Sequence, residues 1–320
     1  MMQIKNITKS YIFILILTYF FSLYSIAEAQ YLRDKTNYIN LYNYYPTDFE
    51  ITEHYNNYKT YSLTYNNIFG IPEVEVKFKN NSYPLHFDFG NSNNIIITSE
   101  LQNLVEYNFI DTSFTYHPDG SIRDKVLEIM IPYFNVFDKD YYNEESALVD
   151  WNTFSTNPFN GLIGLKYLTD KSFTLNNESK QLIISSESIA EKLDSNKTVI
   201  IDLLNFAYHP YGIHFVGEIN NKKRIFYFDT GKSHTALNRD LFPNEKILTD
   251  KSGSFYDGKV NISFGKINFD IEYPRVKSLK RKIENNYEMG IEIGIDILKY
   301  FLISVDRTNN KNIMIIHIDE

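Results

Sequence analysis

The chain has 320 residues and no cysteine, which excludes a disulfide framework and any thiolate metal site. Its formal net charge of -8 at pH 7 argues against nucleic acid or an anionic membrane surface as a partner. The length suits two domains of modest size, each able to bury a core, and the abundant Asn, Ile, Lys, Tyr and Phe are spread throughout and share AT-rich codons, so they reflect genome composition.

Residues 1–29 read as a secretory signal: Lys5 and Lys9 precede an apolar stretch from Tyr11 to Tyr24, and Ala27-Glu28-Ala29 forms a small-x-small cleavage pattern before Gln30. The apolar core is shorter than the roughly 20 residues of a bilayer-spanning helix, so no stable membrane insertion is expected after cleavage. The mature protein is expected in the periplasm or outside the cell. The leader carries two lysines and one glutamate, so removing it takes the charge from -8 to -9. Residues 30–60 are dense in Tyr, Asn, Asp and Glu without a period; they are expected to form an irregular arm packed on the first lobe, or a pro-segment covering a cleft.

From Tyr61 onward strands dominate. Val74, Val76 and Phe78 alternate on a half-buried strand, a turn is read at Asn80-Asn81, and the chain returns through Leu85-His86-Phe87. Asp88-Phe89-Gly90-Asn91-Ser92 and an Ile95-Ile96-Ile97 run follow; later come Gly161-Leu162-Ile163-Gly164 and short paired strands at 172–175 and 181–184. The polar segment Asp194-Ser195-Asn196-Lys197 breaks both periodicities, placing a boundary between a first lobe at 61–194 and a second at 195–320. The second lobe repeats the series: a strand at 214–219, a turn at Asn220-Asn221, the return Ile225-Phe226-Tyr227-Phe228, then Asp229-Thr230-Gly231-Lys232-Ser233. Gly290-Ile291-Glu292-Ile293-Gly294 and closing strands at 302–305 and 312–315 complete it. Helical signals are few: 99–107, 238–242, and 186–193 with Ser186 as N-cap.

An Asp-x-Gly after an apolar strand puts a carboxylate on a tight turn whose glycine amide can face it. One such turn is commonplace. Two at equivalent points of a duplicated unit can be brought face to face by a pseudo-twofold axis, and two adjacent carboxylates share one proton because both cannot ionise cheaply. Such a pair can activate a water and protonate a leaving amine.

On Phe228-Asp229-Thr230-Gly231 with Ser233, Phe87-Asp88-Phe89-Gly90 with Ser92, and the segments ending at Gly164 and Gly294, residues 61–320 resemble the two-lobed pepsin and retropepsin-like aspartic proteases, as bacterial-type members of that family. The resemblance implies a mainly β, two-lobed acid-protease fold with a cleft between pseudo-twofold related lobes. It implies Asp88 and Asp229 as the catalytic dyad, with Gly90, Ser92, Thr230, Gly231 and Ser233 supporting the turns. Flap tips are implied at Asp119-Gly120 and Asp257-Gly258. The implied activity is endopeptidase cleavage of a peptide or protein substrate by a monomer needing no metal or other cofactor. Three departures stand out. Phe89 replaces the threonine that braces the first turn; Asn91 and Lys232 occupy positions where the family has small or hydroxyl residues; and Glu292 interrupts an apolar segment. They leave a second reading open: a peptide-binding protein that kept the cleft and lost hydrolysis.

Other motifs read as ordinary structure. His86 sits two residues before Asp88 but is expected to be a plain strand residue; His209, His214 and His234 match neither a helical histidine pair nor a finger spacing, so no metal site is expected. Asp88-Phe89-Gly90 also spells a kinase magnesium signature, yet no glycine-rich nucleotide loop or catalytic His-Arg-Asp precedes it, and no Gly-x-Ser-x-Gly elbow supports a serine hydrolase. Trp151, the single tryptophan, is expected in the core or the cleft wall.

Overall fold

The computed structural model describes residues 36–41, 50–66, 70–91, 94–116, 121–151, 159–194, 196–207, 209–279 and 287–318. The expected leader at 1–29, Ser92, the first expected flap tip Asp119-Gly120 and Ser195 lie outside the described residues. The chain is mainly β, with curled sheets, and its helices amount to single turns.

The repeated sequence pattern becomes a repeated topology. In the first half, Pro72–Phe78 pairs antiparallel with Asn81–Phe87; Gly161–Ile163 then runs parallel to Asn81–Phe87, with Leu162 opposite His86, and antiparallel to Ile96–Thr98. In the second half, Ile213–Ile219 pairs with Lys222–Phe228, Met289–Ile293 runs parallel to Lys222–Phe228 with Glu292 opposite Tyr227, and Ala236–Asn238 lies antiparallel beyond it. Each strand that delivers an Asp is thus flanked by its own hairpin and by the strand drawn from the Gly-rich segment. These units belong to an eight-stranded and a ten-stranded sheet.

Local chemistry explains the hairpins. Along Pro72–Phe78, Val74, Val76 and Phe78 are buried while Glu75 and Lys77 face water, the period-2 pattern of a sheet with one covered face. Asn220 and Asn221 both adopt left-handed angles, with φ of 49° and 62°, and Ile219 pairs with Lys222 across them. That is a two-residue turn whose twist matches the strands, and asparagine tolerates its angles. In the first hairpin the turn falls on Lys79-Asn80, one residue earlier than the sequence reading, because Phe78 pairs with Asn81 and Lys79 takes the left-handed angle, φ 52°.

A six-stranded sheet joins the halves. The closing hairpins, Ser172–Asn176 with Gln181–Ser185 and Leu302–Asp306 with Ile313–His317, meet along an antiparallel seam that sets Phe173 opposite Val305. Thr198–Asp202, just past the expected boundary, pairs with Ile313–His317, and Lys59–Ser62 pairs with Gln181–Ser185. One apolar cluster runs through both halves, including Phe87, Phe89, Phe173, Phe215, Phe228, Ile303 and Val305. Each such side chain contributes roughly 1.5–3 kcal/mol on burial.

Two local expectations are corrected. The 30–60 arm is not irregular where it is described: Asn37–Ile39 is a strand paired with Ile267–Glu272 of the second half, and Ile51–His54 forms a helical turn. Backbone pairing at a sheet edge, together with the Thr36 hydroxyl donating to the Tyr273 carbonyl at 2.8 Å, outweighs the weak side-chain pattern. The helical signals shrink to 3-10 turns at Ser99–Leu101, Arg239–Leu241 and Ala190–Lys192. Ser186 does not cap the last of these; Ser185 instead accepts the Glu187 amide at 2.9 Å.

Candidate active site

Asp88 follows Asn81–Phe87 and Asp229 follows Lys222–Phe228, at matching points. The adjacent parallel strand fixes each main chain: the Asp88 amide donates to Ile163 at 2.9 Å, and the Asp229 amide to Ile293 at 3.0 Å. Each turn closes on its aspartate carbonyl, from Asn91 at 3.1 Å and from Lys232 at 3.2 Å. A further bond seats each turn on its Gly-rich segment, from the Leu165 amide to Asn91 at 3.2 Å and from the Ile295 amide to Lys232 at 2.8 Å. The last glycine of each segment, Gly164 or Gly294, is where the turn's main chain comes so close that a β-carbon would collide with it.

The two turns bring the carboxylates together. The Gly90 amide donates to Asp88 Oδ1 at 2.7 Å and the Gly231 amide to Asp229 Oδ1 at 3.0 Å, while Gly231 also reaches Asp88 Oδ1 at 3.2 Å. A β-carbon at Gly90 would strike the Asp229 carboxylate, and one at Gly231 the Asp88 carboxylate. The glycines of Asp-x-Gly are therefore needed for the approach of the opposite acid. Asp88 and Asp229 are 7% and 4% exposed. Burial, first, and the Asp88 carboxylate, second, hold the Asp229 carboxyl well above the usual carboxylate range; Glu292 adds to the rise, Lys232 opposes it, and a side-chain hydrogen bond links the two acids.

Thr230 is a one-sided brace. Its hydroxyl donates to the Phe87 carbonyl at 2.6 Å and accepts the Phe89 amide at 2.9 Å. Phe89 offers no reciprocal hydroxyl; its fully buried ring packs edge-to-face on Phe87 and Phe173 at 5.4 and 6.0 Å.

Both acids open onto a cavity of about 540 Å³ whose lining includes Asn91, Arg123, Lys232 and Ser233. Lys232 is exposed at its rim. One wall is an aromatic stack: the His86 ring lies on Phe159 at 4.6 Å, nearly parallel, and Phe159 on Trp151 at 6.3 Å. His86 also faces Glu73 at 3.3 Å. Arg123 comes from Ile122–Val136, the strand that follows residues 117–120 and the expected first flap tip. Asp257 and Gly258 are placed elsewhere: they form the turn between Gly253–Tyr256 and Lys259–Phe264, with Asp257 paired to Lys246 at 2.6 Å, and neither lines this cavity.

Several neighbours of the dyad have no signature in the sequence. His209 Nε2 bonds the Gly90 carbonyl at 2.8 Å and lies 3.3 Å from the Tyr227 hydroxyl, while His214 stacks on the Tyr227 ring at 4.4 Å. His234 instead faces Asp296 at 4.0 Å. Glu292, buried, is paired with Lys277, which lies two strands away in the same sheet, beyond Ala236–Asn238. These contacts join residues that the tertiary fold brings together, which no spacing rule anticipates. Comparison with protein-family models and with curated proteins returns no match for this chain.

Proposed function

We propose that the chain is an exported aspartic endopeptidase of the two-lobed, pepsin-like kind, with Asp88 and Asp229 as its dyad. The observation that carries this reading is the mutual burial of two carboxyls, each wedged against the other turn's glycine, with Asp229 pushed far up. A dyad with one proton on the Asp229 side has an acid and a base in one place. In the proposed cycle Asp88 takes a proton from a water whose oxygen attacks the peptide carbonyl carbon, while Asp229 gives its proton to the carbonyl oxygen. Asp88 then delivers its proton to the amide nitrogen, the C–N bond breaks, and a hydroxyl of the intermediate returns a proton to Asp229. No metal or covalent intermediate is needed.

Export rests on the leader at 1–29. Among the described residues no helix is long and apolar enough to cross a membrane.

The test is cleavage of a diverse peptide library by the mature protein from about pH 3 to 7, beside Asp88→Asn and Asp229→Asn variants. Both substitutions are expected to lower cleavage by at least ~1,000-fold with circular dichroism unchanged. Undiminished turnover by either folded variant would sink the reading. The half-built brace at Phe89 favours the second reading, a peptide-binding protein without hydrolysis; saturable peptide retention with no cleavage at any pH would select it.

A further inference from the structure

We infer that Lys232 is a specificity residue that selects peptides carrying a carboxylate side chain beside the reactive bond, an inference that rests on the cleft being a peptide site. Lys232 directly follows the Asp229 turn, and its main chain is fixed at both ends, the amide on the Asp229 carbonyl and the carbonyl under the Ile295 amide. Its Cα therefore cannot swing away from the dyad. The side chain is exposed and lines the same cavity as both acids. Its charge reaches into the site, since it pulls the Asp229 carboxyl down against burial, Asp88 and Glu292.

Among the described residues, the lysine and arginine side chains near the cleft other than Lys232 are engaged. Arg123 is bonded to Asp124 at 2.6 Å, and Lys277 is paired with Glu292. Lys232 forms no ion pair with any described carboxylate within 4.0 Å. An ammonium held at the rim of the cavity that both acids line is complementary to an anionic substrate side chain, and charge complementarity of this kind sets specificity. The dyad cannot satisfy Lys232 itself without giving up the shared proton, because a nearby ammonium favours the ionised form. A substrate glutamate or aspartate lying over the second turn would take up the lysine and leave the dyad monoprotonated.

The experiment uses the full mature chain and sets of peptides identical except for Glu, Gln or Lys at one position, scanned across the positions flanking the cleaved bond. At pH 5.5 and low salt one position is expected to favour Glu over Gln by ~10-fold in kcat/KM, a preference that shrinks as salt is raised. Lys232→Gln is expected to bring that ratio near one, and Lys232→Glu to favour Lys. The ratio is taken within each enzyme, so any change in dyad protonation cancels. Cleavage without a Glu preference, or a preference that Lys232→Gln leaves intact, overturns the inference while the peptidase reading stands. If no peptide is cleaved, fluorescence anisotropy with the same peptides decides. Glu-selective binding that Lys232→Gln abolishes upholds the inference and sinks the peptidase reading; unselective binding, or none, overturns the inference.

Discussion

The Thr230 hydroxyl accepts the Phe89 amide at 2.9 Å and also donates to the Phe87 carbonyl, so one side chain of the second turn grips the main chain on both sides of Asp88. Thr230 is fully buried, so bulk solvent does not reach its hydroxyl. Thr230→Val keeps the shape and leaves one amide and one carbonyl without that partner, each costing about 1–3 kcal/mol. Denaturant unfolding is expected to show a loss of ~2–4 kcal/mol for Thr230→Val and less than ~1 kcal/mol for Thr230→Ser. Equal stabilities for the two variants would mean the hydroxyl does not brace the turns.

The missing half of the brace cannot be restored by substitution at Phe89. Its ring fills space between Phe87 and Phe173 in the shared core. Phe89→Thr would supply a hydroxyl but leave a cavity, and losses of this size cost about 3–5 kcal/mol. The variant is expected to unfold at clearly lower denaturant than wild type. A Phe89→Thr protein as stable as the parent would show that the regained bond outweighs the packing.

The two acids, their turns and the duplicated hairpins are legible in the sequence because they depend on local chemistry: apolar alternation, asparagine turns, and glycine where the backbone or an opposing acid comes close. The Glu292–Lys277 pair, the His209 contact to Gly90 and the stack of His86 on Phe159 are not. Each joins residues 15 to 119 positions apart through tertiary packing, across loops or across strands that are not hydrogen-bonded neighbours. The arm misled for a related reason. Edge pairing by Asn37–Ile39 needs only main-chain groups, and its side chains carry no period to read.

Glu292 and Lys232 act on Asp229 with opposite signs, Glu292 raising it and Lys232 lowering it. In a dyad mechanism the alkaline limb of the pH profile marks loss of the shared proton. Glu292→Gln removes an anion and is expected to move that limb to lower pH; Lys232→Gln removes a cation and is expected to move it higher. Profiles of kcat/KM between about pH 3 and 8 check the pair, and movement in the same direction would rule out both charges as tuners of Asp229.

Stability should respond to pH through two buried groups of opposite sign. His317 lies in the six-stranded sheet, bonded to Ser304 at 2.8 Å; burial, with His54 adding, lowers its pKa from 6.5 to about 3. Between those values the unfolded chain binds a proton that the folded one refuses, so its contribution is present above pH 6.5 and is lost as pH falls toward 3. At 1.36 kcal/mol per unit that loss is on the order of several kcal/mol. Asp229 works the other way: its raised folded value means the folded chain keeps a proton the unfolded chain releases near pH 4, so its contribution is present in acid and fades as pH rises through the raised value. Relative to wild type, His317→Gln is expected to gain stability as the buffer goes from pH 7 to 4, and Asp229→Asn to gain it from pH 4 to 7. Urea unfolding at both values distinguishes them. A wild-type curve parallel to His317→Gln would mean that His317 is not held neutral, and one parallel to Asp229→Asn would mean that the Asp229 carboxyl is not raised by its burial against Asp88.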